Sequence, residues 1–191
     1  MHWRQGRAQM RAACRGLVLF WAVFLAFVPA TAHAGKYRDQ SVAMAVETGL
    51  DLNRYLGKWY EIARFANRFE KGCQGVTAEY SWQDDGTIKV SNTCHEGTPD
   101  GPVQVVDGVG QVEGPGKLSI NFVSWLPFAK GDYWVLYVDE AYSVAAVGAP
   151  NGRTGWILAR SPKISKARFQ VALSALAKNG YDVSKIELVL H

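Results

Sequence analysis

The side chains of this sequence that could carry out chemistry are few and widely separated. Outside the first 34 residues there are two histidines, His95 and His191, and two cysteines, Cys73 and Cys94. The sequence contains no metalloprotease, nucleophile-elbow or P-loop signature. Neither the cysteine pair nor His95 supplies the ligand set of a closed metal site. We therefore predict a protein that is not an enzyme and that uses no metal or cofactor.

Two glycine-rich stretches have only a superficial similarity to nucleotide-binding loops. Residues 108–114, Gly-Val-Gly-Gln-Val-Glu-Gly, have one residue too many for a dinucleotide fingerprint and fall within a predicted strand. Residues 114–117, Gly-Pro-Gly-Lys, are followed by Leu118 where a P-loop needs Ser or Thr. We therefore interpret the first stretch as part of a strand and the second as a turn, and we predict no nucleotide-binding loop.

Glu61 is the remaining candidate for acid–base chemistry. Alternation over residues 55–65 places it on one face of a strand with Trp59, Ala63 and Phe65. If that face is buried, the carboxylate either acts as a base with a perturbed pKa or has a structural partner. We adopt the structural interpretation, although the sequence does not identify the partner.

The first 34 residues have the features of a secretory signal. Four arginines precede an uncharged apolar run at residues 16–28, and residues 32–34, Ala-His-Ala, form a small-x-small cleavage site. The run has thirteen residues, whereas a membrane-spanning helix needs about 20. We expect cleavage after Ala34 and secretion to the periplasm, with an uncleaved anchor as the alternative.

Removal of the signal also removes the net charge. The whole chain has 21 Lys and Arg against 17 Asp and Glu, and the signal holds four of the arginines and no acid, which leaves 17 of each. Without excess positive charge, the sequence-independent attraction to phosphate backbones is missing, so we expect no nucleic-acid partner. We divide the remainder into a flexible segment at residues 35–49 and one domain at residues 50–191.

Cys73 and Cys94 lie on either side of a predicted β-hairpin. Residues 76–83 and 87–93 have strand character and are joined by Asp-Asp-Gly at residues 84–86. Folding the hairpin brings the two cysteines close together, and export to an oxidising compartment favours a disulfide. Two buried free thiols are the alternative.

The domain is predicted to be all-β until its last part. Turn signals separate strands near residues 58–66, 75–83, 86–94, 103–113, 117–124, 132–139, 142–149 and 153–160. A short helical turn at residues 52–56 precedes them, residues 165–178 have helical periodicity, and residues 185–190 could add a strand. Eight closely spaced strands favour a sandwich or a closed up-and-down barrel.

Three motifs in order resemble the lipocalin family. They are Asn53-Arg-Tyr-Leu-Gly-Lys-Trp-Tyr60, Asp139-Glu-Ala-Tyr142 and Trp156-Ile-Leu-Ala-Arg160, and the likeness covers nearly all of residues 50–180. The resemblance implies an eight-stranded antiparallel up-and-down β-barrel with one C-terminal α-helix packed outside. Bacterial members of the family are typically lipoproteins, whereas Cys14 precedes the apolar run. We therefore expect no lipid anchor, and association with the outer membrane stays open.

The resemblance also implies how one end of the barrel is closed. Trp59, which follows Gly57 at the start of the first strand, would lie across the floor, covered by Arg160 from the end of the eighth strand. A guanidinium on an indole contributes roughly 0.5–2 kcal/mol. A surface tryptophan and a solvated arginine are the alternative.

With Trp59 and Arg160 placed inside the barrel, the alternation of side chains along each strand shows which other residues would face inward. Together with the resemblance, this implies a ligand cavity above the floor. The predicted lining residues are Phe65, Tyr80, Asn92, Phe122, Tyr133, Val135, Tyr137 and Trp156. Three residues of the sixth strand, Trp134, Leu136 and Val138, would face outward under the helix. The aromatic lining suits an amphiphile with its acyl chain inside and its head group at the rim, namely a fatty acid or lysophospholipid. Ordinary core packing is the alternative.

Residues 125–128, Trp-Leu-Pro-Phe, are a bulky apolar run in a predicted loop. Such a patch could be a lip of the cavity, a contact with a second subunit in a homodimer, or a peripheral membrane contact. The sequence as a whole predicts a protein that binds, stores or transports lipids in the cell envelope. A lipid-acting enzyme on the same barrel, and a protein-interaction module that uses residues 125–128, are the rival hypotheses.

Overall fold

The computed structural model of this protein describes residues 37–123 and 130–191. The predicted signal and the run at residues 125–128 lie outside these ranges. Within them, the helices are either too short or too polar to cross a membrane.

The described strands form an antiparallel sheet that closes on itself. Each of the first seven strands pairs with the next one along the chain, and β1 pairs with both β8 and β2, which closes the barrel. The elements are α1 (Leu52–Tyr55), β1 (Gly57–Phe65), β2 (Cys73–Trp82), β3 (Ile88–Glu96), β4 (Val103–Gly114), β5 (Lys117–Asn121), β6 (Lys130–Val138), β7 (Val144–Gly148), β8 (Gly155–Ala159), α2 (Lys166–Lys178), a 3₁₀ helix (Val183–Lys185) and β9 (Ile186–Leu188). The prediction of an eight-stranded up-and-down barrel is confirmed, and the sandwich is excluded.

The outer wall is covered in part by α2, and β9 pairs with the end of β1 within the sheet. Ser165 caps α2 by accepting a hydrogen bond from the Arg168 amide, and Gly180 follows the helix with a φ of 86°. Ala172 and Leu176 are buried against the barrel wall. Because the helix covers the outer face there, β7 is buried on both faces along its whole length.

Cys73 and Cys94 form a disulfide with 5.2 Å between their Cα atoms. The bond joins the start of β2 to β3, and both residues pack with Val76 and Val189. The predicted disulfide is confirmed, and the alternative of free thiols is wrong.

Two β-bulges interrupt the alternation from which the interior residues were predicted. In β1 the pairing with β8 shifts between Glu61 and Ala63, so Phe65 turns to the outer face. There Phe65 is fully buried, stacked between Tyr37 and Tyr181 at 5.0 Å from each ring. The prediction that Phe65 and Ala63 line the interior is therefore wrong.

The second bulge lies in β6, between Val135 and Tyr137. Val135 is fully buried inside the barrel, but Tyr137 pairs with Ala146 and packs with the outer cluster. Val138 contributes to the inner cluster instead of facing outward. The predictions that Tyr137 faces the interior and that Val138 faces outward are therefore wrong. The prediction that Trp134 and Leu136 face outward is confirmed.

Residues 37–49, predicted as a flexible segment, lie along the barrel and α2. Arg38 is only 8% exposed, and its guanidinium donates hydrogen bonds to the carbonyls of Val42, Pro150 and Asn179. The Ala45 amide donates to the Asn179 side chain. Most of these partners are main-chain carbonyls, which every residue has. The sequence therefore contains no apolar pattern that would predict the packing of this segment on the barrel and α2.

Candidate ligand-binding site

The closed end of the barrel is formed by Trp59 and Arg160. The guanidinium carbon lies 3.8 Å from the indole centroid, and the Trp59 Nε1 donates to the Tyr55 carbonyl at 2.7 Å. Gly57 has a φ of 90°, and a Cβ on it would be 3.5 Å from the Arg160 Nη1. The positive φ is therefore what requires glycine here, since a Cβ would make only an ordinary contact with the guanidinium.

The three sequence motifs meet at this end. The guanidinium of Arg160 donates to the carbonyls of Lys58 and Tyr142 at 2.7 and 3.2 Å. The hydroxyl of Tyr142 accepts from the Asp51 amide at 2.8 Å, and the Arg54 guanidinium lies 4.1 Å from the Tyr142 ring. Residues far apart in the chain thus seal one end of the barrel.

Three tyrosine hydroxyls fill the interior above Trp59. The Tyr133 hydroxyl lies 2.7 Å from that of Tyr55 and accepts from that of Tyr80 at 3.0 Å. Burial raises the pKa of all three hydroxyls above the ordinary tyrosine value. The sequence prediction omitted Tyr55 because it comes from α1, although its place within the first motif was a usable signal.

A cavity of about 70 Å³ remains above the tyrosines. Its lining is largely apolar, with a few polar groups: Glu61, Glu70, Val76, Ala78, Tyr80, Val90, Asn92, Ile120, Phe122, Tyr133, Trp156 and Leu158. The structure thus brings together Tyr80, Asn92, Phe122, Tyr133 and Trp156 of the predicted set. Val135 lies in the inner cluster but not on this cavity. Pockets for drug-sized ligands have volumes of roughly 300–1,000 Å³, so the cavity is small.

Phe122 stands at the edge of the cavity and is 40% exposed. It packs over Gly108, where an added Cβ would lie only 2.7 Å from the Phe122 Cδ1. The glycine of β4 therefore allows the ring to lie flat against the wall.

The partner of Glu61 is Arg64. Their side chains form an ion pair of 2.9 Å, and the Arg64 Nη2 also donates to the Cys73 carbonyl at 2.7 Å. Glu61 is 4% and Arg64 is 6% exposed. Strict alternation would separate residues 61 and 64 onto opposite faces, so the sequence prediction missed the pair, and the β1 bulge is what brings them together.

Glu70 lies beside this pair in the loop between β1 and β2. Its Oε2 accepts from the Trp156 Nε1 at 3.1 Å and from the Asn67 side chain. Burial raises the pKa of Glu61 well above its usual range, Glu70 raises it further, and Arg64 opposes the shift. Glu61 therefore holds its proton more strongly than an ordinary glutamic acid.

Asn92 lines the cavity from β3, on the strand next to β2. Its Oδ1 is buried and has no hydrogen-bond partner within residues 37–123 and 130–191. Buried amide oxygens without a donor are uncommon, so this atom needs an explanation. Over the same ranges, no group of three or more potential metal-ligating side chains converges.

A larger groove of about 630 Å³ lies outside the barrel, between α2 and β6. Leu136 and Tyr137 form one side, and Val171 and Ala175 lie on the other. The groove is wide open, whereas the barrel interior is closed at one end and offers charged and aromatic groups together. We therefore take the interior cavity as the candidate site.

Comparison with known proteins agrees with this architecture. Residues 50–191 match a family model described as a lipocalin-like domain. The outer membrane lipoprotein Blc of Escherichia coli K12 is 40% identical over 144 residues, which cover 74% of this chain and 80% of Blc. Apolipoprotein D of Macaca fascicularis is 33% identical over 150 residues, covering 74% of this chain and 77% of that protein.

A solved structure with the same fold is that of insecticyanin from the tobacco hornworm Manduca sexta. It aligns with a TM-score of 0.60 at 19% identity and covers 78% of this chain and 85% of insecticyanin. At this identity the likeness concerns the fold alone.

Proposed function

Because this chain belongs to the lipocalin family, we propose that it binds a small hydrophobic or amphiphilic lipid at the open end of its barrel. Fatty acids and lysophospholipids are the ligand classes that we propose to test first. Binding, storage or transport is then the function, and no catalytic step is required.

The cavity between Phe122 and Trp156 is the observation that carries this proposal. It lies inside a barrel whose other end is sealed by Trp59 and Arg160. Its walls combine aliphatic and aromatic side chains with a few polar atoms, the composition typical of small-molecule sites.

The size of the cavity limits how a long chain is held. Burial of each CH₂ group contributes about 0.8 kcal/mol, so micromolar affinity, about −8.2 kcal/mol, requires roughly ten buried groups. A cavity of about 70 Å³ does not hold that many, and the tyrosines beneath it are packed. Binding of a long chain therefore requires the half-exposed Phe122 ring or the Trp156 ring to move.

We further propose that the protein works in the periplasm or at the outer membrane. The disulfide between Cys73 and Cys94 supports an oxidising compartment. The features of residues 1–34 support export. One relative is named as an outer membrane lipoprotein, which supports an envelope location.

Two measurements test the proposed function. Organic extracts of the protein, purified without detergent after export of the full chain, are analysed by mass spectrometry for lipids. The same protein is then titrated with a fluorescent fatty acid and a fluorescent lysophospholipid. We expect a co-purifying amphiphile and saturable binding of at least one probe. A clean extract and no binding would contradict the proposal.

Trp156→Ala tests whether binding takes place in this cavity. We expect the substitution to weaken probe binding by about tenfold, since it removes a large apolar ring from the site. Trp82→Ala is the matched control, because Trp82 is half exposed and contacts Asn53 near the closed end. If the two variants bind the probe with equal affinity, the probe does not bind in this cavity.

A turnover assay on lipid esters tests the rival enzyme hypothesis.

A further inference from the structure

The charged side chains that line the cavity all have the same sign. They are Glu61 and Glu70, and no lysine or arginine is among the described lining residues. Residues 124–129, between β5 and β6, contain no charged residue. The neighbouring cation, Arg64, is committed to other partners: its Nη1 donates to Glu61 and its Nη2 to the Cys73 carbonyl.

The polar atoms around the cavity are also mainly acceptors. Asn92 presents a buried Oδ1 that has no donor among the described residues. The indole N–H of Trp156, a donor on the same wall, is used by Glu70. The hydroxyls of Tyr80 and Tyr133 bond to each other. The Oδ1 of Asn92 is therefore an acceptor that a ligand could use, beside the carboxyls of Glu61 and Glu70.

On the basis of the proposed function, we propose that this cavity holds an ammonium group, so that the protein prefers amine-headed amphiphiles to fatty acids of the same chain length. An ammonium carries three donors and a positive charge. The acceptors that line the cavity are the carboxyls of Glu61 and Glu70 and the amide oxygen of Asn92. Charge-assisted hydrogen bonds of this kind are about twice as strong as neutral ones.

The size of the cavity fits a head group better than a chain. A volume of about 70 Å³ holds only a few groups of the size of a water molecule. The chain of the amphiphile would then run outward, past Phe122 and Trp156. This orientation is opposite to the one expected from the sequence, in which the acyl chain occupies the interior.

A fatty-acid carboxylate meets the opposite environment in this cavity. It would face the acceptor oxygens of Glu61, Glu70 and Asn92, and the guanidinium of Arg64 already donates to Glu61 and to the Cys73 carbonyl. The carboxylate would also add its negative charge to that of each ionised glutamate. Like charges placed at close range in a poorly solvated site repel each other strongly.

The charge balance of the site gives the binding reaction a signature. Burial and Glu70 raise the pKa of Glu61, whereas Arg64 opposes the shift. An ammonium held beside Glu61 favours the ionised carboxylate and lowers that pKa again, so any proton that Glu61 holds in the free protein is released to the solvent when the amine binds. The groups that face Glu61 are Arg64, Glu70 and Tyr80.

Three ligands with the same chain test the inference: dodecylamine, dodecanoic acid and dodecan-1-ol. The full chain is expressed and exported, and the exported protein is purified and freed of lipid. The affinity of each ligand is then measured at pH 7 by calorimetry, once in phosphate and once in Tris, because these two buffers differ in ionisation enthalpy. We expect dodecylamine to bind at least about tenfold more tightly than the acid or the alcohol. We also expect its apparent enthalpy to differ between the buffers through proton release.

Glu70→Gln is the main variant, and Glu79→Gln is its matched control. Both remove one negative charge, but Glu79 is exposed on the strand that carries Tyr80. We expect Glu70→Gln to remove most of the preference for the amine and Glu79→Gln to leave it unchanged. Glu61→Gln should remove the proton release.

The outcomes separate this inference from the proposed function. If the acid or the alcohol binds as tightly as the amine, the ammonium site is wrong while lipid binding stands. If none of the three ligands binds and no lipid co-purifies, the proposed function fails as well. If Glu79→Gln removes the preference for the amine as fully as Glu70→Gln does, the preference comes from the general surface charge and the inference is overturned.

Discussion

Arg160 lies flat on Trp59 and, with the same guanidinium, donates hydrogen bonds to the carbonyls of Arg54, Tyr55 and Leu56. One side chain thus joins the end of β8 to α1 and to the first strand. The planar guanidinium has the number and directions of donors that this contact needs.

Arg160→Lys should therefore destabilise the barrel although it keeps the charge. A lysine cannot reach several carbonyls at once or stack as a plane, so we expect a loss of about 2 kcal/mol in the free energy of unfolding. Urea unfolding, followed by tryptophan fluorescence, measures the change. Arg153→Lys on the exposed surface is the control and should have little effect. Equal losses in the two variants would show that Arg160 has no special structural role.

The buried carboxyl of Glu61 makes stability depend on pH. Its pKa is raised in the folded protein, chiefly by burial and then by Glu70. The folded state therefore holds a proton that the unfolded state releases above the ordinary glutamate pKa of about 4.3. The stabilisation is complete below that value and is lost as the pH rises through the folded pKa, at no more than about 1.4 kcal/mol per pH unit.

Urea unfolding at a series of pH values between about 4 and 8 tests this dependence. We expect Glu61→Gln to flatten the decline with pH, because glutamine does not titrate. Glu79→Gln, which removes an exposed acid, should leave the decline intact. If both variants keep the wild-type slope, another group is responsible.

The disulfide should make a large contribution to stability. Cys73 and Cys94 are separated by 21 residues in the sequence, and closing a loop of this size stabilises by roughly 3 kcal/mol in the chain-entropy model. The double variant Cys73→Ser, Cys94→Ser should lose about this amount. Reductant should lower the stability of the wild type to a similar level and leave the double variant unaffected. A wild type that reductant does not destabilise would contradict this prediction.

Much of the fold could be predicted because strands and turns have local signals. The helix caps at Asp51 and Ser165 bind the amides that follow them, as the residue types suggest. The closed end was predictable through the resemblance to the lipocalin family, because the three motifs that carry the resemblance are contiguous stretches of sequence.

The errors lie where the geometry has no local signal. The bulges in β1 and β6 reverse the alternation after Glu61 and Val135, and a one-residue shift moves every later side chain to the other face. This is why strict alternation wrongly places Phe65 and Tyr137 in the interior and separates Arg64 from Glu61. The packing of Arg38 on distant carbonyls was invisible for a related reason, since main-chain acceptors are the same for every residue.

Phe122 should control access to the cavity. Its ring lies over Gly108 at the cavity edge and is 40% exposed, so removing it opens the mouth at a small cost in buried apolar area. We expect Phe122→Ala to accelerate the association of a fluorescent amphiphile several-fold, with only a small decrease in the midpoint of urea unfolding. Stopped-flow fluorescence measures the association rate.

Gly108→Ala provides the complementary change. The new Cβ would meet the Phe122 Cδ1 at 2.7 Å and the Asn121 carbonyl oxygen at 3.0 Å, so the ring must leave its position. Gly108→Ala should therefore change the association rate when Phe122 is present and have a smaller effect in the Phe122→Ala background. If the two substitutions are simply additive in a double-mutant cycle, the ring does not act as the gate.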